Sequence, residues 1–331
     1  MATPDAPSAP PPLPDDLVKV RDLHRRFDNV NAVQGINFDI QKGQVVGFIG
    51  ANGAGKTTTM RMMATLDSPT RGRITIAGID VVQYPQKVRR LIGWMPDSYG
   101  AYSYMTVYEY LDFFARAYGF RRQARRTRVE EVMDFADLTP LADRAMNKLS
   151  KGQGQRLCFG RALLPDPEFL ILDEPAAGLD PKARIEFKNL VRILAQRGKT
   201  LFISSHILSE LGEMCDTLLF IDGGKIAFHG AAETLRRGQH GVEATQTVID
   251  VTTLINPEAP SLTQWATENP GWTLMEQRRD GARLSFASVD PVKIAAALRK
   301  MIQEGIPIVE FRREERRLED AFVEMLKKTG G

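Results

Sequence analysis

Short apolar runs separated by amphipathic stretches fill the chain from Leu17 to about Arg237. Ile36 to Ile40, Val45 to Ile49, Arg73 to Ala77 and Ile92 to Met95 have the length and content of strands. Phe169 to Leu172, Thr200 to Ser204 and Leu218 to Asp222 are almost continuously apolar, as strands covered on both faces must be. Apolar positions at helical spacing predict helices after Gly55 and over Val107 to Tyr118, Arg126 to Ala136 and Gln153 to Leu164. Two more fit Pro181 to Ala195 and Ile207 to Cys215. Strands alternating with helices predict an α/β fold on a mainly parallel sheet. The helix-rich stretch from Val107 to Leu164 interrupts that alternation, which predicts a helical subdomain over about residues 98–165.

The pattern changes after the polar segment Arg236 to Thr247, which contains Gly238 and Gly241 and has the composition of a linker. Beyond it come a strand (Val248 to Leu254), a helix (Leu262 to Glu268) and two strands (Trp272 to Gln277, Ala282 to Phe286). A helix (Val292 to Gln303), a strand (Ile306 to Phe311) and a last helix (Leu318 to Lys327) follow. The βαββαβ order predicts a small ferredoxin-like α+β domain over 245–331. At the other end, residues 1–16 carry Pro4, Pro7, Pro10, Pro11, Pro12 and Pro14 among Ala, Ser and Asp. Too little apolar surface remains there to offset the entropy of ordering, so a mobile tail is expected.

Composition narrows the function classes. A chain of 331 residues suits two domains, because single cores stop growing near about 250 to 300 residues. The formal charge is 44 − 41 = +3, and this mild balance does not by itself point to a nucleic-acid partner. Cys158 and Cys215 are too few and too far apart for a disulfide scaffold or a zinc site. No apolar run reaches the roughly 20 residues that span a bilayer, and no basic-then-apolar leader opens the sequence. The expected setting is cytosolic, with any membrane role supplied by a partner.

Two motifs carry chemistry. Gly50-Ala-Asn52-Gly53-Ala54-Gly55-Lys56-Thr57-Thr58 matches G-x-x-x-x-G-K-[ST] between an apolar strand and a helix. The glycines allow the backbone to curl, so that successive N–H groups point at a phosphate. The helix N-terminus adds partial positive charge, Lys56 faces the β- and γ-phosphates, and the Thr57 hydroxyl is a ligand for Mg2+. The second motif is Asp173-Glu174, at the end of the apolar run Phe169 to Leu172. On a strand parallel to the first, both carboxylates arrive at the same sheet edge. Asp173 then holds Mg2+ through water and Glu174 acts as general base toward an attacking water.

With these motifs the chain resembles the ATP-binding cassette (ABC) ATPases, over roughly Leu17 to Arg237. Leu149-Ser150-Lys151-Gly152-Gln153 is similar to that family's signature, Ala177-Gly178-Leu179-Asp180 to its D-loop, and Ser204-Ser205-His206 to its switch-histidine loop. Phe27 resembles the aromatic that stacks on adenine, although taken alone it fits packing as well. The resemblance implies a cassette with antiparallel strands at its N-terminus, ATP and Mg2+ as ligands, and two cassettes packed head to tail. It then implies that Ser150, Gly152 and Gln153 contact the γ-phosphate of the partner's ATP, and that His206 stabilises transition-state charge.

Two positions depart from the family. Lys151 replaces a glycine, which costs about 1 kcal/mol of strain if that site needs positive φ, or adds attraction if the side chain reaches phosphate. Asp97 stands where the Q-loop usually has glutamine; as an outer Mg2+ contact its charge is tolerable. The arginines at 116, 121, 122, 125, 126 and 128 fit either a solvated face or a surface for anionic lipid. Aromatic residues from Tyr99 to Tyr118 exceed the needs of one small core and suggest a groove for a partner helix. The stretch Arg317 to Met325 is similar to the tail of drug- and antibiotic-exporter ATPases. The resemblance therefore implies the ATPase subunit of an exporter, peripheral on the cytoplasmic face beside a separate permease. The alternative class is a soluble ABC ATPase of translation or DNA repair. A third possibility is nucleotide binding without turnover.

Overall fold

The computed structural model describes residues 13–98, 100, 102, 104–212, 214–231, 246–255 and 259–313. The chain divides into two units, Met1–Ala232 and Glu233–Gly331.

In the first unit, β1 (Asp16–Phe27) pairs antiparallel with β2 (Val30–Gln41) and β4 (Arg71–Ile76), and β5 (Ile79–Asp80) completes that sheet. The second sheet has the order β10-β9-β3-β8-β7-β6. Its strands are β3 (Val45–Ile49), β6 (Ile92–Met95), β7 (Phe169–Leu172), β8 (Thr200–Ser205), β9 (Thr217–Asp222) and β10 (Lys225–Ala231). All pairings in it are parallel except β10 on β9. Every residue of β3, β7 and β8 is buried, which explains their unbroken apolar sequences. One core joins the sheets: Phe48 stacks on Phe202 at 4.9 Å between centroids, and Phe38 lies 5.9 Å from Phe202.

The helices of this unit are α1 (Lys56–Met63), α2 (Pro85–Val88), α3 (Val107–Ala117), α4 (Arg122–Phe135), α5 (Lys151–Leu163), α6 (Pro181–Gln196) and α7 (Leu208–Gly212). Helices α3, α4 and α5 pack on one another as the interrupting helical layer. Thr106 and Glu109 form a capping box at the start of α3, which fixes where that layer begins.

Several expectations need correction. Ordered structure begins before residue 17: Leu13 packs against the core and Asp16 pairs with Gln41. Strand β1 carries Lys19, Arg21, Asp22, Arg25 and Arg26 and is broken by register shifts, so its apolar pattern is weak. Strand β10 follows β9 through a two-residue turn at Gly223 and Gly224, both at positive φ, as a tight hairpin requires. Helix α4 starts at Arg122 rather than Arg126, and α7 spans only Leu208–Gly212. Residues 1–12, most of the segment 236–247, the helix expected over 318–327 and the Arg317 to Met325 stretch lie outside the described residues.

The second unit contains β11 (Thr247–Thr253), α8 (Leu262–Glu268), β12 (Trp272–Arg278), β13 (Gly281–Phe286), α9 (Pro291–Gln303) and β14 (Ile308–Arg313). Its sheet is antiparallel, in the order β12-β13-β11-β14. This is the ferredoxin-like arrangement. Ile249, Val251, Trp265, Leu284 and Met301 form its core.

Candidate functional site

The parallel register aligns three strand ends. Ile49 of β3 lies opposite Ser205 of β8, and Leu172 of β7 opposite Ile203. The segments that follow, Gly50 to Lys56, Asp173-Glu174 and His206, therefore leave the sheet at one edge.

The loop after β3 turns tightly. Gly55 caps α1 at φ 108, and a β-carbon there would come within 2.5 Å of the Ala32 carbonyl oxygen. At Gly50 a β-carbon would collide with the Ile221 carbonyl. Gly53 has φ 81 with open space around it. Asn52 and Gly53 are exposed at the loop crest, Ala54 is buried beneath, and Thr57 and Thr58 lie in the first turn of α1. The Lys56 ammonium donates to the carbonyls of Gly50 (2.7 Å) and Ala51 (3.3 Å) and lies 3.4 Å from Glu174 Oε1. A buried cation surrounded by oxygens inside a ring of backbone is poised for an anion of several charges.

One buried hydroxyl orders the two carboxylates. Ser204 Oγ donates to Asp173 Oδ1 at 2.7 Å and accepts from the Glu174 backbone N–H at 2.7 Å. Glu174 adopts the left-handed region at φ 47, an expensive conformation for a residue with a β-carbon. His206 Nδ1 lies 2.7 Å from Glu174 Oε2; because an ionised carboxylate only accepts, the ring nitrogen donates. Burial pushes the Asp173 carboxyl above its ordinary 3.8, opposed by hydrogen bonds from Ser204 and Thr57 and reinforced by the charges of Asp97 and Glu174. Asp173 Oδ2 is buried without a hydrogen-bond partner. A buried carboxylate that keeps one oxygen unpartnered, with the Thr57 hydroxyl also close to it, suits a hard, oxygen-seeking cation such as Mg2+. Among the described residues no three His, Cys, Asp or Glu side chains gather as a metal cluster. Such a cation would therefore complete its shell with water and phosphate oxygens.

The structure brings Lys56, Thr57, Asp173, Glu174 and His206 together, with Asp97 near enough for its charge to be felt at Asp173. Asp97 Oδ1 itself accepts from the Ser98 N–H. Phe27 ends β1, 42% exposed. Ser150, Gly152 and Gln153 lie elsewhere, at the start of α5. Ser150 is the N-cap, in a reciprocal capping box with Gln153, and Gly152 approaches Ala183 of α6. The S-x-x-Q spacing encodes this box, so α5 starts at Lys151 and not at Gln153. No hydrogen bond or ion pair among the described residues links these residues to the Gly50–Thr58 loop of the same chain. Lys151 does not have positive φ, so it carries no backbone strain; its side chain lies over Gly178. Asp180 caps α6 by accepting from the Ala183 N–H at 2.8 Å.

Two parts of the site escaped the sequence. Ser204 lies in the segment the sequence singles out, but nothing local reveals that its hydroxyl bonds both the Asp173 carboxylate and the Glu174 backbone N–H. Glu210 is also buried: it accepts from Ser205 Oγ at 3.0 Å and pairs with Arg184, whose guanidinium contacts the Leu179 carbonyl. The arginine cluster proves mostly engaged. Arg116 and Arg125 pair with Asp112, Arg126 with Glu130 and Arg128 with Glu131. Of the aromatics, Tyr110 is buried, whereas Tyr102, Tyr104, Phe113 and Tyr118 are exposed.

The chain is similar to known proteins. Residues 33–177 match the protein-family model described as ABC transporter. The ABC transporter ATP-binding protein NatA of Bacillus subtilis (strain 168) is 37% identical over 224 residues, 66% of this chain and 91% of NatA. The Nod factor export ATP-binding protein I of Burkholderia orbicola (strain AU 1054) is 32% identical over 308 residues, 93% of this chain and 96% of that protein. A dimeric post-hydrolysis structure of the ATP-binding cassette MJ0796, bound to ADP and Pi, superposes with a TM-score of 0.60 at 25% identity. It covers 65% of this chain and 98% of that one.

Proposed function

Because this chain belongs to the ABC transporter family of ATP-binding proteins, we propose that it is the ATP-hydrolysing subunit of an exporter, working from the cytoplasmic face on a separate membrane-spanning permease. The observation that carries this reading is the meeting of the Gly50–Thr58 loop, Asp173, Glu174 and His206 at one sheet edge. Among the described residues no helix is long and apolar enough to cross a membrane.

The backbone N–H groups from Gly50 to Gly55 and the first turn through Thr57 and Thr58 receive the triphosphate, and Lys56 leaves its loop carbonyls for the β- and γ-phosphates. Phe27 stacks on the adenine. Thr57 and Asp173 would hold Mg2+, with Asp97 outside them, and the ion would supply positive charge against the phosphates. Glu174 accepts the proton of the attacking water, and His206, held on Glu174, aids the charge that develops on the γ-phosphate. Ser150, Gly152 and Gln153 complete the site of a second copy, which is why they face no phosphate in their own chain. Exposed Tyr102, Tyr104 and Phe113 form the surface for a permease helix.

The test is the oligomeric state of the Glu174→Gln variant by light scattering. With saturating MgATP it forms a dimer, and adding Ser150→Arg returns it to monomer. A Glu174→Gln protein that stays monomeric, alone and with its permease, overturns the reading. Asp97→Ala is expected to lower ATPase activity and raise the Mg2+ needed for half-maximal rate; an unchanged Mg2+ profile removes Asp97 from the site.

A further inference from the structure

We infer that Arg25 is a positioning residue for the nucleobase, a cation placed behind Phe27 so that the ring's free face is tuned for a purine. This deepens the assignment of Phe27 above and rests on it. The Arg25 guanidinium carbon lies 4.3 Å from the centroid of the Phe27 ring, which places the cation over one face. That guanidinium is tethered: it pairs with Asp67 at 2.8 Å, with the two side chains 23% and 18% exposed. Asp67 is steadied in turn by accepting from the Ser68 N–H. The ring is anchored as well. Phe27 pairs with Val30 across a turn in which Asp28 has φ 45, and Arg26 clamps that turn by donating to the Asp28 carbonyl at 2.7 Å. Thr70 ties the neighbouring loop to β1 through the His24 carbonyl and the Arg26 N–H.

The geometry also relates the ring to the phosphate loop. Val30, the partner of Phe27, is two residues from Ala32, whose carbonyl abuts Gly55. Two residues of strand span about 7 Å, the scale of a ribose between a phosphate and a base. With one face under Arg25, the 42% exposure of Phe27 is offered by its other face and edge. A guanidinium draws π density toward itself, so the opposite face becomes less negative and stacks better on an electron-rich purine. Because Asp67 fixes the cation beforehand, the arrangement needs no reordering when nucleotide arrives.

The experiment measures the affinity of the full chain for MgATP and for Mg-tripolyphosphate, which has the phosphates and no base. Arg25→Gln keeps a hydrogen-bonding partner for Asp67. It is expected to weaken ATP about threefold, the scale of one exposed cation–π contact, and to leave tripolyphosphate unchanged. Arg25→Lys retains a cation beside Asp67 and restores most of the loss. In a Phe27→Leu background, Arg25→Gln has no further effect. Equal loss for both ligands, no loss for ATP, no recovery with lysine, or a loss that persists without the ring each overturns the inference. If Phe27→Leu itself leaves ATP affinity untouched while Lys56→Ala abolishes binding of both ligands, the inference falls together with the assignment of Phe27. If Phe27→Leu weakens ATP and Arg25→Gln does not, the inference alone falls.

Discussion

Ser204→Ala removes one oxygen from the interior and orphans two groups. In the wild-type protein that fully buried hydroxyl donates to the Asp173 carboxylate and accepts from the Glu174 N–H, each at 2.7 Å. A hydrogen bond to a charged group contributes about 1.5–3 kcal/mol, and a buried N–H left unsatisfied costs about 1–3 kcal/mol. The loss is therefore on the order of 4 kcal/mol, which in a unit of this size lowers the melting temperature by about 8–16 °C. Asp173 adds a pH signature. Its carboxyl sits above 3.8, so ionising it costs stability as pH rises through the folded-state value. Ser204 eases that cost, and the variant's deficit must be larger at neutral pH than in acid. Glu174 also loses the bond that supports its positive φ, and its carboxylate, the proposed base, shifts; kcat should fall on the order of 10- to 100-fold. Thermal unfolding of the nucleotide-free protein in EDTA, at two pH values, and phosphate release by the loaded protein measure these effects. A melting shift under about 2 °C with unchanged turnover refutes the reasoning.

Gly55→Ala forces a β-carbon to within 2.5 Å of the Ala32 carbonyl at φ 108, and a filter-binding assay should show ATP retention lost. Normal binding by that variant argues against the loop geometry. Glu210→Ala strands Arg184 and the Ser205 hydroxyl; because Arg184 is about one-third exposed, the expected cost is about 2 kcal/mol, below the 3–5 kcal/mol of a fully buried pair, as denaturant midpoints can check. Partial desolvation on β10 lowers His229 from its ordinary 6.5 against the nearby Asp39 charge; because the ring is largely exposed its contribution is small, present above that pH and lost as pH falls further. His229→Gln should slightly flatten the decline of stability below about pH 6.5, and an identical slope excludes His229 as its source.

Sequence legibility followed burial and motif density. Strands β3, β7, β8 and β9 were plain because a sheet covered on both faces needs unbroken apolar runs, and the Gly50–Thr58 loop because its glycines and Lys56 have few other uses together. Strand β1 was hidden by its charges, two of which pair across the antiparallel sheet surface, Arg21 with Asp39 and Asp22 with Arg71. The contacts of Ser204, Glu210 and Arg25 were not legible for a shared reason. Each acts through a partner 5 to more than 40 positions away, and a single sequence does not reveal such pairings until the fold supplies the distance.

The central claim, that Glu174 drives hydrolysis of a nucleotide held by the Lys56 loop, is tested most directly by measuring ATP affinity and phosphate release together in Glu174→Gln. ATP affinity is expected within about threefold of wild type, with release reduced at least about 100-fold, the contribution of a general base. Phosphate release at the wild-type rate, with ATP bound normally, contradicts that claim.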